Sequence, residues 1–240
     1  MRCFRPVLMR LRRRYPHVFA RRNAGLRAEL DFWDYWLRTH GRDWPGDYER
    51  RLDPELPLAP GLATLVDTLP HSTIHILDVG AGPLTVVGKR HPTKTLVVTA
   101  TDVLASYYDR LLRRYQITPP VRTLPVAAEA LAQYFPTDHF DLVYAQNSID
   151  HTAEPFLAIE AMIAVVKPGG WVVLAHEENE ADSEAYSSLH QWNFTSDGTA
   201  FLIRGRSHTR NVSAELAPVA NVTCTLRDHW LTVQIQKCPV

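Results

Sequence analysis

The sequence predicts an α/β fold built on a doubly wound, mostly parallel sheet, with helices before it and an insertion near its end. Three observations carry this reading. A β-branched apolar run, Ile74–Val79, leads straight into Gly80 and Gly82, and glycines at such a turn permit positive φ and close backbone approach. A second apolar run, Thr95–Thr101, ends on Asp102, roughly twenty residues past the glycines, where an acidic residue grips ribose hydroxyls. Further apolar runs then alternate with helical segments and end in two adjacent strands, the order that winds a sheet.

The elements follow in order. Residues 1–60 read as a basic arm and helical cap, with Ala28–Thr39 helical because Leu30, Trp33 and Leu37 recur at helical spacing. Gly41–Pro60 is rich in Pro, Gly and Asp and reads as a connecting loop, and Gly61–Leu69 as a short helix. Residues 61–240 form the main domain. A helix is expected from Pro83, since proline suits a first helical turn. Ala105–Tyr115 reads as a helix broken by Pro119-Pro120, and a third strand lies near Val121–Val126. Phe140–Ala145 is the fourth strand, Glu154–Val166 a helix, and Trp171–His176 the fifth strand after Lys167-Pro168-Gly169-Gly170. Ala181–His190 reads as helical within an insertion spanning about 180–216. Trp192–Arg204 reads as a hairpin turning at Asp197-Gly198. Val222–Arg227 and Trp230–Gln236 close the sheet.

Four segments resemble the class I S-adenosylmethionine-dependent methyltransferases: I-L-D-V-G-A-G-P, T-A-T-D-V, F-D-L-V-Y-A-Q-N-S-I-D-H and V-V-K-P-G-G-W-V-V-L. They run over residues 60–180. The resemblance implies a seven-stranded Rossmann-like sheet with an antiparallel last strand, S-adenosyl-L-methionine as cofactor, and methyl transfer. It does not name the acceptor. It also implies cofactor contacts at Asp78, Gly80, Ala81, Gly82, Asp102, Val103, Gln146 and Asn147. The family often holds an acidic residue at position 127. Ala127 stands there, so Glu129 or a backbone amide has to replace that contact. The dinucleotide fingerprint wants a third small residue at position 85, where Thr85 stands, which disfavours a nicotinamide oxidoreductase.

Composition bounds the rest. The chain has 240 residues, 45% of them hydrophobic, and zero formal net charge, so no overall field favours nucleic acid. Nine arginines, Arg2 to Arg27, nevertheless precede the first acidic residue, Glu29. They read as a solvated arm, with attraction to phosphate as the alternative. No run is long and apolar enough to span a membrane, and no secretory signal is evident. Cys3, Cys224 and Cys238 are scattered and odd in number, so a reducing cytoplasm is expected and no metal site is.

Ligands of open α/β sheets bind beyond the carboxyl ends of the strands. His151 and His176 are therefore the candidate catalytic bases, with pKa values suited to proton removal near neutrality. Asp150, Glu177, His190, Trp192 and Asn193 are the candidate acceptor-binding residues. The expected acceptor is a small polar metabolite methylated on oxygen or nitrogen, with natural-product or sugar modification as the setting. RNA or protein methylation and a non-catalytic scaffold stand as alternatives.

Overall fold

The computed structural model describes residues 16–239. The arginines up to Arg14 lie outside the described residues. Three helices come first: α1 (Pro16–Thr39), α2 (Asp47–Leu52) and α3 (Pro60–Thr68). The main sheet then uses β1 (Thr73–Val79), β2 (Thr95–Thr101), β3 (Thr123–Leu124), β4 (Phe140–Gln146), β5 (Val166–Glu177), β9 (Ala220–Arg227) and β10 (Trp230–Lys237). Between them lie α4 (Ala105–Arg114), α5 (Leu131–Tyr134), α6 (Pro155–Val165) and α7 (Glu180–Ser183), then β6 (Asn193–Ser196), β7 (Phe201–Arg204), β8 (Thr209–Asn211) and α8 (Val212–Leu216).

The seven-stranded sheet has the order β3-β2-β1-β4-β5-β10-β9. β2, β1, β4 and β5 pair in parallel, and β10 runs antiparallel to both of its neighbours. Chain order reverses beside β1, between β1 and β4, and that crevice is where doubly wound sheets take ligands. The alternation of β1 dictates its two faces. Ile74 and Ile76 pack with Leu62, Leu65 and Val66 of α3, while Leu77 and Val79 pack with Ile159 and Met162 of α6. Each such side chain, fully buried, contributes roughly 1.5–3 kcal/mol.

β6, β7 and β8 form a separate three-stranded sheet. Its hairpin turns at Asp197-Gly198 as the sequence predicts, with the Asp197 carboxylate accepting from the amides of Thr199 and Ala200. Asp228 and His229, both at positive φ, close the β9–β10 hairpin, the backbone that a two-residue turn requires.

Three local expectations are corrected. Residues 80–94 form no helix after Pro83. Leu84 and Val87 are buried instead, and Arg90 pairs with Pro57 in a parallel bridge. Gly88 passes so close that a Cβ there would lie 2.1 Å from the Pro57 carbonyl oxygen. Tertiary pairing has displaced helical propensity. Gly41–Pro60 is not all loop, because Asp47 and Glu49 favour the start of α2, and Arg51 pairs back to Asp47 at 2.8 Å. The helix expected over Ala181–His190 stops at Ser183. Ala185, Tyr186 and Ser188 adopt positive φ and carry the chain against Gly25 of α1.

Candidate cofactor and acceptor site

The glycine turn after β1 is built by its neighbours. Gly80 and Gly82 sit at φ 71° and 64°, a region that other residues rarely enter. The amides of Gly80 and Ala81 donate to the Thr101 carbonyl at 2.8 and 3.0 Å. A Cβ on Gly80 would lie 2.3 Å from Ser148 Cβ, and one on Gly82 would lie 2.6 Å from the Trp33 ring. The loop after β4 and helix α1 therefore close on the turn from two sides. Trp33 Nε1 donates to Glu29, which holds the indole in place.

Two carboxylates flank this turn. Asp78, at the end of β1, is 1% exposed and accepts a 2.5 Å hydrogen bond from Thr85 Oγ1. Burial pushes its carboxyl up to about 6, against the Thr85 bond and the charges of Arg51 and Lys89. Asp102, at the end of β2, accepts from the amides of Gly82 and Leu104. Burial pushes it up to about 6 as well, with those amides opposing. Tyr108 points its buried hydroxyl here without a hydrogen-bond partner among the described residues. Burial and the Asp102 charge raise its pKa. Val103 is half exposed beside Asp102.

A second cluster forms where β4 and β5 end. Asp150 is 2% exposed, and His176 of β5 is 1% exposed. His176 Nδ1 lies 3.2 Å from Asp150 Oδ1, and His151 Nε2 lies 3.4 Å from Asp150 Oδ2. The insertion brings His190, whose Nδ1 is 3.2 Å from His151 Nε2 and 3.5 Å from Glu180 Oε1. Burial alone would push the Asp150 carboxyl up; the facing His151, His176 and His190 outweigh it and hold it well below the usual carboxylate range. Burial, with the Asp150 charge beside it, pushes Glu180 up to about 8.

A sequence profile described as a methyltransferase domain matches residues 77–174, the stretch from β1 to β5. The stretch from β1 to β5 is therefore similar in sequence to a methyltransferase domain. Among relatives, it is 32% identical over 100 residues to the ubiquinone biosynthesis O-methyltransferase of Paracidovorax citrulli, covering 40% of this chain and 41% of that one. It is 31% identical over 122 residues to the 2-methyl-6-phytyl-1,4-hydroquinone methyltransferase of Synechocystis sp., covering 50% and 36%. The match thus spans well under half the length of both curated relatives. The N-methyltransferase NodS of Bradyrhizobium japonicum, solved with S-adenosyl-L-homocysteine, shares the fold at TM-score 0.50 and 15% identity over 90% of this chain and 98% of that one. The DhpI–SAH complex does so at TM-score 0.50 and 14% identity over 89% and 97%.

Within the matched stretch, Asp78, Gly80, Ala81, Gly82, Asp102 and Val103 come together as expected. Gln146 and Asn147 line the neighbouring strand end. Gln146 accepts from the Tyr144 hydroxyl, and Asn147 Oδ1 accepts from the Glu177 amide. Glu129 accepts from the Ala153 amide and so ties the β3 and β4 loops together.

Other expected residues stand elsewhere. His176 is packed on Phe194 at 4.6 Å and lies behind Asp150. Asn193 is fully buried and spends its amide on Asp182 and Tyr186. Trp192 packs against Gly205 and His208, and Glu177 is exposed. Two residues escaped the sequence reading. Glu180 sits in a run of charged residues with no periodicity to mark it. Arg51 stacks over Trp33 and Trp36 beside the turn and donates to the Leu84 carbonyl.

Proposed function

We propose that this protein transfers a methyl group from S-adenosyl-L-methionine to an oxygen or nitrogen of a small polar metabolite. One observation carries the reading: Asp78 and Asp102 stand as two desolvated carboxylates on either side of a left-handed glycine turn. Carboxylates held at such a cost suit an ammonium group at Asp78 and ribose hydroxyls at Asp102. The Tyr108 hydroxyl, unpartnered among the described residues, fits the same ligand. The cofactor supplies an electrophilic methyl on a sulfonium. The chain's own part is to align it with the acceptor, and alignment of this kind is worth effective molarities on the order of 10⁵ M or more.

The acceptor docks against the cluster of Asp150, His151, Glu180 and His190, which binds its heteroatom and eases its deprotonation. Cys224 and Cys238 are free thiols, which suits a reducing cytoplasm. Among the described residues no helix is long and apolar enough to cross a membrane.

Calorimetry with S-adenosyl-L-homocysteine tests the cofactor half. Asp102→Ala should weaken binding by roughly 1.5–3 kcal/mol, and unchanged affinity in a folded variant refutes the assignment. Incubation with methyl-labelled cofactor and fractionated metabolites tests the acceptor half. Label that enters only RNA or protein overturns the small-molecule reading.

A further inference from the structure

We propose that Asp150, His151, Glu180 and His190 form a binding site for one divalent transition-metal ion of the zinc class. His151 Nε2, His190 Nδ1, one Asp150 oxygen and one Glu180 oxygen all lie within 4.8 Å of one another. The separations along this set are 3.2 Å for His151–His190, 3.4 Å for His151–Asp150, 3.5 Å for His190–Glu180 and 3.8 Å for His190–Asp150. A tetrahedron with ligand bonds of ~2.0–2.2 Å has edges of ~3.3–3.6 Å. Three of these separations are close to such an edge and the fourth is slightly longer, while the two remaining pairs lie within 4.8 Å.

A second observation points the same way. Asp150 is 2% exposed, yet neither of its carboxylate oxygens has a hydrogen-bond partner in acceptable geometry among the described residues, and Glu180 Oε2 is likewise unpartnered. Two facing carboxylates with buried oxygens are costly; the nearby imidazoles offset part of that cost, and a cation placed between the carboxylates offsets more. The two imidazoles meet edge to face at 86° with their nitrogens converging. In the tautomers that leave both facing nitrogens unprotonated, their lone pairs repel each other at 3.2 Å and one shared ion accepts both. Two imidazoles and two carboxylates are a donor set for zinc and its first-row neighbours, whereas magnesium and calcium favour oxygen alone. Behind the site, His176 Nδ1 faces Asp150 Oδ1 at 3.2 Å, the place of an outer partner that orients a ligating group.

The ligands come from two places. Asp150 and His151 follow β4, and Glu180 and His190 belong to the insertion. The ion therefore pins the insertion to the sheet. Resting on the methyl-transfer reading, a bound ion would also offer the acceptor heteroatom a fifth coordination position and lower its pKa, so that its proton passes to solvent water while the four residues stay bound to the metal.

The test uses the full chain, stripped with a chelator and titrated with Zn²⁺ by calorimetry, with Co²⁺ as a spectroscopic probe. One ion should bind per chain, and Co²⁺ should give the intense visible bands of a tetrahedral site. Glu180→Gln and His190→Ala should each weaken Zn²⁺ binding roughly tenfold or more, while His208→Ala should not. Chelation should increase protease cleavage within residues 180–192. Affinity for S-adenosyl-L-homocysteine, measured on the same samples, separates the two readings: metal binding without cofactor binding sustains this site and refutes methyl transfer. Zn²⁺ binding that is absent, or equal in Glu180→Gln, His190→Ala and wild type, overturns the metal site whatever the cofactor does.

Discussion

Asp78 accepts one hydroxyl bond and sits against two cations, yet its burial still leaves the carboxylate dearer in the folded protein than in the unfolded chain. Its folded pKa, about 6, is raised above the unfolded value. Its contribution to stability is therefore fully present below the unfolded pKa, near 4, and is lost as pH rises through 6. Asp78→Asn should raise the melting temperature of the ligand-free protein at pH 7.5 and leave it nearly unchanged at pH 4, while weakening cofactor binding. Paired thermal scans and calorimetry check both halves. At this scale the cofactor side was legible, because Asp78, the glycines and Asp102 are spaced along two adjacent strands that any doubly wound sheet brings together. The acceptor side was only half legible. Asp150 and His151 lie at a strand end whose position follows from the fold, but Glu180 and His190 arrive through loop geometry that no periodicity records. Asn193 faces inward because the β6–β7 pairing sets which side of β6 is buried, and that pairing is not local to the residue.

The connection between β1 and β2 departs most from expectation. It replaces a crossover helix with a segment pinned to residues 56–58 through the Leu58–Arg90 and Lys89–Leu56 backbone bonds. Gly88 is the point of closest approach. Gly88→Ala drives a methyl group into backbone that cannot rotate away, and overpacking of this kind costs about 1–3 kcal/mol. A urea midpoint within error of wild type would show that the segment yields freely. The β6–β7 hairpin and the β9–β10 turn were readable because alternation and turn residues act locally. The missing helix and the early end of α7 were not, because long-range pairing decided them. Pro83 permits a helix, but the β-branched Thr85, Val86 and Val87 and then Gly88 favour one weakly, and the loop at 56–58 supplied the stronger claim.

The whole molecule is knit by α1. Trp33 rests on Gly82 of the cofactor turn, and Gly25, two to three turns earlier on the same helix, admits Leu189 of the insertion so closely that a Cβ there would lie 2.7 Å from it. The arginine-rich residues 1–14 precede this helix, and their deletion should leave folding and S-adenosyl-L-homocysteine affinity intact. A truncated protein that loses either would make the arm part of the working molecule. On the proposed reading, a helix that touches both the cofactor turn and the insertion has a thermodynamic consequence. Any tilt of α1 that accommodates the donor also changes the wall presented to the acceptor, so the two affinities are linked free energies rather than independent quantities. Reciprocity then fixes the ledger: whatever factor the donor adds to acceptor affinity, the acceptor returns to the donor, and Gly25→Val, which wedges the helix off the insertion, should bring that factor toward one.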